Sequence, residues 1–171
     1  MNTVDAKRIL EAVLLCAQEP IGICELLALF DGAYSVDSLR EVLEDMQQDW
    51  SGRHICLVLV ASGWRFQSQP ELRGYLDRLS LDKPLRYSKA VLETLAVIAY
   101  RQPATRGDME DLRGVTISSL LLKQLEDRSW VEIIGHRETV GRPALYATTR
   151  QFLDDLGLAS LAELPLIDAA P

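Results

Sequence analysis

The residue types that most often carry out catalysis or bind metal ions are few in this chain of 171 residues. None of the cysteines or histidines has CxxC spacing or a second ligand at metal-binding spacing; they are Cys16, Cys24, Cys56, His54 and His136. The neighbouring acids Asp154 and Asp155 fall on a predicted helix and point to different sides. There is also no P-loop, HExxH motif or nucleophile elbow. The sequence therefore predicts a protein that is not an enzyme and that has no metal site and no cofactor.

The cysteines have a structural interpretation. Cys16 and Cys24 fall within apolar helical patterns, and Cys56 lies in a hydrophobic strand pattern. Free cysteine is among the most often buried residue types. An odd number of cysteines without paired spacing also argues against a disulfide framework. We therefore expect reduced thiols that are buried in the core.

The formal net charge of −7 is unevenly distributed. Residues 1–85 carry 8 basic and 13 acidic side chains, residues 86–150 carry 10 basic and 8 acidic side chains, and residues 151–171 carry four acids and no base. Proteins that neutralise several phosphates need clustered Lys and Arg. The charge therefore disfavours general DNA binding, and only the second half offers phosphate a favourable field.

Hydropathy and the N-terminal residues bear on location. No apolar run approaches the roughly 20 residues that cross a bilayer. The N-terminal stretch has acids and no small-residue cleavage site, so it does not match a signal peptide. We expect a cytoplasmic protein without a membrane partner.

The second half has the pattern of three helices followed by a hairpin. Ser88 caps the first helix, and a proline ends it because the residue before a proline is disfavoured in the α region. The second helix begins with a capping box that includes Asp108 and ends at a glycine. A third helix precedes strands at Trp130–Ile134 and 144–148. Five residues of these motifs are expected to shape the backbone at helix ends and turns: Pro103, Thr105, Gly114, Gly141 and Pro143.

The first half repeats this plan. LLCAQEPIGICEL aligns with VIAYRQPATRGDM, which brings Pro20 over Pro103 and Leu26 over Met109. A helix that begins near Pro70 is expected to bury an apolar stripe: Leu72, Tyr75, Leu76 and Leu79. The expected fold is α+β and mainly helical, with two tandem winged helix-turn-helix domains. We expect domains at residues 1–80 and 87–158, a linker at 81–86 and an acidic tail at 159–171.

Polar and aromatic side chains gather around the predicted turn between the first two helices of the second half. One interpretation is a solvated surface with local salt bridges and with core aromatics that expose their hydroxyls. The other is a polar rim with aromatic anchors around an apolar groove that binds a partner. The candidates are Lys89, Tyr100, Gln102, Arg106, Arg113, Arg142 and Tyr146.

Several long motifs resemble those of the segregation and condensation protein B family. They are SKAVLETLAVIAYRQPATR, the RGV at Arg113–Val115, GRPALYATT at 141–149 and GLASLAELP at 157–165. The third helix, TISSLLLKQLEDRSW, departs from the family because it is richer in leucine. Residues 1–80 resemble the family in the pattern of predicted elements more than in the identity of the residues.

The resemblance implies a subunit of the bacterial SMC–kleisin complex that acts in chromosome condensation and segregation. Such a protein forms a homodimer, mainly through its N-terminal domains, and binds the central region of the kleisin, segregation and condensation protein A. The kleisin in turn bridges the SMC ATPase heads. The resemblance implies a nucleoid-associated protein whose contact with DNA is weak or indirect, and whose kleisin-binding residues are among the candidates above.

Two points remain open from the sequence alone. The dimer surface is expected at Ile55–Val60 or on the Leu10–Leu14 helix, although both stretches suit the core of a small domain. The alternative function is a transcriptional regulator that binds DNA with tandem winged helices. For a kleisin-binding role, substitution of Arg113 or Gln102 is expected to weaken binding of the partner without lowering the melting temperature.

Overall fold

The computed structural model describes residues 3–79 and 87–165. They form two compact units, one of residues 3–79 with 157–165 and the other of residues 87–156. The expected linker at 81–86 and the tail beyond residue 165 lie outside the described residues. The class is α+β and mainly helical, as the sequence predicts.

The first unit has three helices, a hairpin and a short fourth helix. In chain order the elements are α1 Thr3–Cys16, α2 Ile23–Ala28, α3 Val36–Asp49, β1 Ile55–Val60, β2 Gly63–Ser68, a 3₁₀ turn Pro70–Leu72 and α4 Arg73–Leu79. Ser35 caps the N-terminus of α3: its hydroxyl accepts a hydrogen bond of 3.1 Å from the Ser38 backbone N–H. Helix α2 begins three residues after Pro20, so that proline precedes the helix and does not open it.

One side of each of the first three helices forms the core of this unit. Residues three or four apart share a helix face, and the buried apolar residues of α1 and α3 follow this spacing. Leu57 and Trp64 cover this core from the hairpin. The fully buried members of the three helices are Ala6, Leu10, Leu26, Leu39 and Leu43.

A short stretch before α2 adds a bridge to the hairpin. Ile21 and Trp64 exchange two backbone hydrogen bonds of 2.9 Å. The approach is so close that a Cβ on Gly63 would lie 2.2 Å from the Ile21 carbonyl oxygen, and the φ of Gly63 is +148°. Only glycine fits this position without a shift of the backbone.

Residues 157–165 belong to the first unit. The Leu158 carbonyl accepts a hydrogen bond of 3.0 Å from the Ala61 backbone N–H, in the turn between β1 and β2. A 3₁₀ turn follows at Leu161–Glu163, where the Glu163 carboxylate accepts a hydrogen bond of 2.8 Å from the Ala159 N–H. The GLASLAELP motif therefore contributes to the packing of the N-terminal unit.

The second unit repeats the order of three helices and a hairpin. Its elements are α5 Lys89–Arg101, β3 Ala104–Thr105, α6 Arg106–Arg113, α7 Ser119–Asp127, β4 Val131–His136, β5 Ala144–Thr148 and α8 Arg150–Leu156. The three strands pair antiparallel in the order β3-β5-β4. The register of β4 shifts between Ile133 and Gly135, so Ile134 is the extra residue of a β-bulge.

The predicted helix ends of this unit are confirmed. The Ser88 hydroxyl accepts a hydrogen bond of 3.3 Å from the Val91 N–H, and α5 ends before Pro103. Thr105 and Asp108 form the capping box of α6. Gly114 closes α6 in the left-handed conformation with φ 67°, where glycine has no Cβ to clash.

The apolar stripe expected on the helix near Pro70 is not buried as predicted, although Leu72 is half-buried. Tyr75, Leu76 and Leu79 of α4 are exposed. Leu92 of α5 and Leu112 of α6 are also exposed. Helical spacing shows that a face is apolar, but it does not show whether the same chain covers that face.

The prediction of buried thiols is wrong for two of the three cysteines. Cys16 and Cys24 are exposed, and Cys56 is half-buried. Both α1 and α2 carry apolar residues around much of their circumference, so an apolar neighbourhood in sequence does not identify the inner side. In the described part of the chain, no helix is both long and apolar enough to span a membrane.

Candidate partner-binding site

The candidate residues all lie in the second unit. Tyr100, Gln102 and Arg106 lie at the turn from α5 through β3 to α6, and Arg142 and Tyr146 lie on the β4–β5 hairpin, whereas Lys89 lies at the opposite end of α5 and Arg113 at the end of α6. The structure separates them into side chains held by other parts of the unit and side chains that point into solvent. The two groups differ in what they can do for a partner.

Gln102 connects the end of α5 to the hairpin. Its Oε1 atom accepts two hydrogen bonds from Thr148, one from the backbone N–H at 2.6 Å and one from the hydroxyl at 3.0 Å. The side chain is half-buried. Gln102 therefore fixes the position of β5 relative to α5.

Arg113 is the most enclosed cation of the set. Its side chain is 9% exposed and donates to the Thr94 hydroxyl at 3.0 Å and to the Glu93 carboxylate at 2.9 Å. Thr94 is fully buried, and its hydroxyl donates to the Ala90 carbonyl at 2.9 Å. The hydrogen bond from Arg113 lowers the pKa of Glu93. Arg113 therefore ties the end of α6 to the middle of α5.

Arg106 belongs to a network that organises the turn between α6 and α7. Its Nε donates to Glu110 Oε1 at 2.9 Å, and its Nη1 donates to the Ser119 hydroxyl at 3.4 Å. The same carboxylate oxygen accepts a hydrogen bond of 2.8 Å from the Ile117 N–H. These bonds, with that of Ile117 as the largest cause, lower the pKa of Glu110. Arg106 itself is exposed, so part of its guanidinium remains accessible.

The strongest ion pair of the unit involves a residue that no sequence motif marks. Arg137 donates two hydrogen bonds to Asp108, of 2.9 and 2.7 Å, in a bidentate arrangement. The same carboxylate accepts a hydrogen bond of 2.8 Å from the Thr105 N–H. The bonds from Arg137, followed by that from Thr105, hold the pKa of Asp108 far below its ordinary value. The hairpin loop is thereby fastened to the first turn of α6.

Arg137 cannot be identified from the sequence because its partner lies 29 residues away. The capping-box position of Asp108 is recognisable, but a capping box requires no cation. Nothing in the sequence of the loop itself distinguishes Arg137 from an ordinary solvated arginine.

The hairpin loop contains three of the predicted motif residues. Gly141 and Arg142 both have positive φ, at 84° and 39°. The Pro143 carbonyl accepts a hydrogen bond of 2.9 Å from the Arg137 N–H, across the base of the loop. Tyr146 lies between β3 and β4 on the central strand and is half-buried, and its burial raises the pKa of its hydroxyl.

Besides Arg106, the exposed members of the set are Lys89, Tyr100 and Arg142. Lys89 is 90% exposed and lies 3.6 Å from Glu93, whereas Arg142 is 71% exposed and lies 3.0 Å from Glu138 in the same loop. Tyr100 is exposed near the end of α5. Surface ion pairs of this kind contribute little to stability, so these side chains can exchange their partners readily.

Exposed apolar side chains accompany the polar ones. They lie on α5, α6, the loop that follows it, α7, the bulged strand β4 and the hairpin loop, and they are Leu92, Leu112, Val115, Leu120, Ile133, Ile134 and Val140. Leu156 of α8 is exposed as well. A single exposed leucine needs no explanation, but eight exposed aliphatic side chains among the described residues of this unit provide apolar area for a partner. Among the described residues, no group of His, Cys, Asp and Glu side chains could hold a metal ion.

Comparison with known proteins identifies the family. Residues 8–167 match the family model of the segregation and condensation complex subunit ScpB. A segregation and condensation protein B homolog of Coxiella burnetii is 44% identical over 170 residues, which cover 98% of this chain and 81% of the relative. Segregation and condensation protein B of Syntrophotalea carbinolica is 41% identical over 171 residues, which cover 98% of this chain and 84% of that protein.

A solved structure, a dimer of an ScpB N-terminal domain complexed with an ScpA peptide, is 28% identical and has a TM-score of 0.40; the match covers 45% of this chain and 93% of that chain. The motifs at the α5–α6 turn and the hairpin lie within the family match, which extends over nearly the whole sequence. This chain belongs to the family of the segregation and condensation complex subunit ScpB.

Proposed function

We propose that this protein is a non-catalytic subunit of the bacterial SMC–kleisin complex. As a homodimer it binds the central region of the kleisin, segregation and condensation protein A, and through the kleisin it acts on the SMC ATPase in chromosome condensation and segregation. The observation that carries the proposal is the family match over residues 8–167, together with relatives more than 40% identical over 98% of the chain. The protein works in the cytoplasm, associated with the nucleoid.

Both units are proposed to be winged-helix domains, within the expected bounds of 1–80 and 87–158 and joined by a linker at 81–86. Residues 157–165, which the sequence places in the second domain and the acidic tail at 159–171, pack with the first unit. The repeated element order supports this interpretation. So does the pairing of the stretch before the second helix with the hairpin of the same unit: Ile21 forms an isolated bridge with Trp64 in the first unit, and Ala104 of β3 pairs with Tyr146 in the second. The first domain serves dimerisation and the second serves kleisin binding. In another protein, a solved ScpB N-terminal domain is a dimer complexed with an ScpA peptide.

The proposed kleisin contacts divide by accessibility. Lys89, Tyr100, Arg106 and Arg142 are exposed and can contact the kleisin directly. Gln102, Arg113 and Tyr146 are half-buried and act by holding the α5–α6 turn and β5 in place. The exposed leucines and isoleucines of the same unit supply the apolar anchors.

A kleisin segment that becomes ordered on binding needs this combination. Ordering a flexible segment costs conformational entropy, so the interface must bury apolar area along an extended path. Polar side chains at the edge then determine register and direction more than they add affinity. The proposed mechanism is scaffolding, in which the dimer orders the kleisin and thereby changes the geometry of the SMC ring.

DNA contact is proposed to be weak or indirect because the cations nearest the hairpin have acidic partners. Arg137 is paired with Asp108, and Arg142 with Glu138. A surface whose cations are already neutralised releases few counterions from DNA. The regulator alternative therefore has no specific structural support.

The test is size-exclusion chromatography with light scattering, on the protein alone and then with the kleisin from the same organism. We expect a mass twice the 19.1 kDa of one chain, and a gain in mass on addition of the kleisin. The matched control is a kleisin that lacks its central region and should not bind. A protein that ignores the intact kleisin but shifts a defined DNA duplex at physiological salt would refute the proposal in favour of the regulator.

A further inference from the structure

Helix α1 has a second apolar side that the first unit does not bury. Its inner side is occupied by Ala6, Leu10 and Leu14, which are at most 2% exposed. On the outer side, Val4, Ile9 and Leu15 are 53%, 38% and 47% exposed, and the small or apolar residues Ala12 and Cys16 are exposed as well. A surface helix of a monomer normally places polar residues opposite its buried stripe.

The outer residues form one continuous surface. Successive residues of an α-helix are rotated by about 100°. Val4, Arg8, Ala12 and Leu15 therefore project within about 80° of one another, almost opposite Leu10. Ile9 and Cys16 extend this surface on one side, and Glu11 borders it on the other. Over 14 residues, α1 is about 20 Å long.

This surface is complementary to a second copy of itself that runs in the opposite direction. When two copies of α1 run antiparallel about a two-fold axis near its midpoint, Val4 of one faces Leu15 of the other. Arg8 then faces Glu11 of the second copy, and by symmetry this ion pair occurs twice. Neither Arg8 nor Glu11 forms a salt bridge with another described residue of the chain. Ala12 leaves room beside the axis for the stem of Arg8.

We infer that the outer face of α1 is the central contact of the homodimer and that it pairs antiparallel with the same face of a second copy. A two-fold interface brings one patch against itself, so it needs this kind of self-complementarity. The inference rests on the homodimer of the proposed function. It assigns the contact to the outer side of the Leu10–Leu14 helix, because the leucines that define this stretch are core residues.

The strongest competing surface is the exposed side of α4. Tyr75, Leu76 and Leu79 are exposed there, but α4 has seven residues and is therefore only about 10 Å long. Specific interfaces bury roughly 1,200–2,000 Å² in total, and a helix of two turns offers a smaller share of that area than α1. Substitutions on the two helices separate these possibilities.

Disulfide trapping tests the antiparallel arrangement in the full-length chain. With Cys24 and Cys56 replaced by serine and Cys16 kept, Val4→Cys should give a disulfide-linked dimer on a non-reducing gel after mild oxidation. A disulfide needs Cα atoms within about 7 Å of each other. The matched control keeps Cys16 alone, and it should not cross-link because the two Cys16 residues lie at opposite ends of the pair.

The trapping experiment has two adverse outcomes. Efficient cross-linking through Cys16 alone would mean that the helices run parallel, which overturns the inference. A chain that is dimeric by light scattering but does not cross-link with Val4→Cys would also overturn it. Circular dichroism spectra that match the parent protein show that each cysteine variant is folded.

Charge substitution then tests the surface without cysteines. Ile9→Glu combined with Leu15→Glu should halve the mass measured by light scattering, from that of a dimer to the 19.1 kDa of one chain. Leu79→Glu is the matched control on α4 and should leave the dimer intact. If only the α4 variant becomes monomeric, the dimer contact lies on α4 and the inference is wrong.

The parent protein separates failure of this inference from failure of the proposed function. If the parent chain is dimeric and the Ile9→Glu, Leu15→Glu variant is dimeric too, the inference is refuted and the proposed function is unaffected. A parent chain that is monomeric and binds the kleisin through α1, shown by loss of binding in the α1 variant, refutes both the homodimer and its assignment to this face.

Discussion

Substitution of Arg113 decides between a recognition role and a structural role for the RGV motif. If Arg113 is an accessible kleisin contact, Arg113→Ala weakens binding and leaves the melting temperature unchanged. The structure leads us to expect a loss of stability, because the Arg113 side chain is 9% exposed and its guanidinium donates to Thr94 and Glu93 within the same unit. Arg113→Ala should therefore destabilise the fold before it affects binding.

The magnitude follows from the two bonds separately. The bond to the buried Thr94 hydroxyl involves a charged donor, and bonds of this kind contribute about 1.5–3 kcal/mol. Truncation also removes the packed aliphatic stem of the arginine. The Glu93 contact is half exposed and screened by solvent, so it adds little. A loss of about 2–3 kcal/mol lowers the melting temperature of a unit of this size by roughly 8–20 °C.

Lys89→Ala is the matched control, because Lys89 contacts the same Glu93 carboxylate from a position that is 90% exposed. Calorimetry should show a change of less than about 2 °C for this variant. The melting temperature of Arg113→Lys should lie between those of the two alanine variants, because lysine retains the charge but lacks the several N–H donors of the planar guanidinium. The reasoning is refuted if Arg113→Ala has the same melting temperature as the parent protein while its affinity for the kleisin falls.

Two further substitutions test individual contacts. Gly63→Ala should destabilise the first unit by about 3 kcal/mol or more, because its Cβ would lie 2.2 Å from the Ile21 backbone and break the bridge to Trp64. Urea denaturation measures this loss. Gly135→Ala is the control, because nothing lies within 4 Å of a Cβ at that position. Asp108→Asn should lower the melting temperature most near neutral pH. The lowered pKa of Asp108 means that its bonds to Arg137 stabilise the fold above about pH 4, and this contribution is lost as the pH falls further. The difference between parent and variant should therefore shrink in melting curves recorded from pH 7 to pH 3, and a constant difference would contradict it.

Features of the fold that depend on local sequence could be predicted. Ser88 and Thr105 have the side chains that cap helices, and Gly114 has the backbone freedom that the end of α6 requires. The alignment of the two halves also places Ile21 over Ala104, and both residues pair with the hairpin of their own unit. The cause of each helix end lies within a few residues, so a single sequence contains it. The two hairpin pairings join residues that are distant in the chain, and only the internal repeat relates one pairing to the other.

Features that depend on distant partners could not be predicted. Arg137 has the sequence context of an ordinary loop cation because its carboxylate lies 29 residues earlier in the chain. The outer leucines of α4 have the spacing of core residues because periodicity identifies an apolar face without identifying what covers it. For the same reason the apolar neighbours of Cys16 favour a buried thiol, whereas its side chain is exposed.

The second unit uses most of its conspicuous polar residues internally, and this bears on how it recognises a partner. Gln102, Arg113 and Asp108 each satisfy two or more hydrogen bonds that join one element to another. A side chain committed to such bonds cannot turn to a partner without leaving a polar group unpaired, which costs about 1–3 kcal/mol. Binding energy must therefore come mainly from the exposed apolar side chains, with accessible cations such as Lys89 and Arg142 at the edge. The long polar motifs then serve mainly to build the α5–α6 turn, and exposed apolar side chains such as Leu120 of α7 are the ones left for the kleisin.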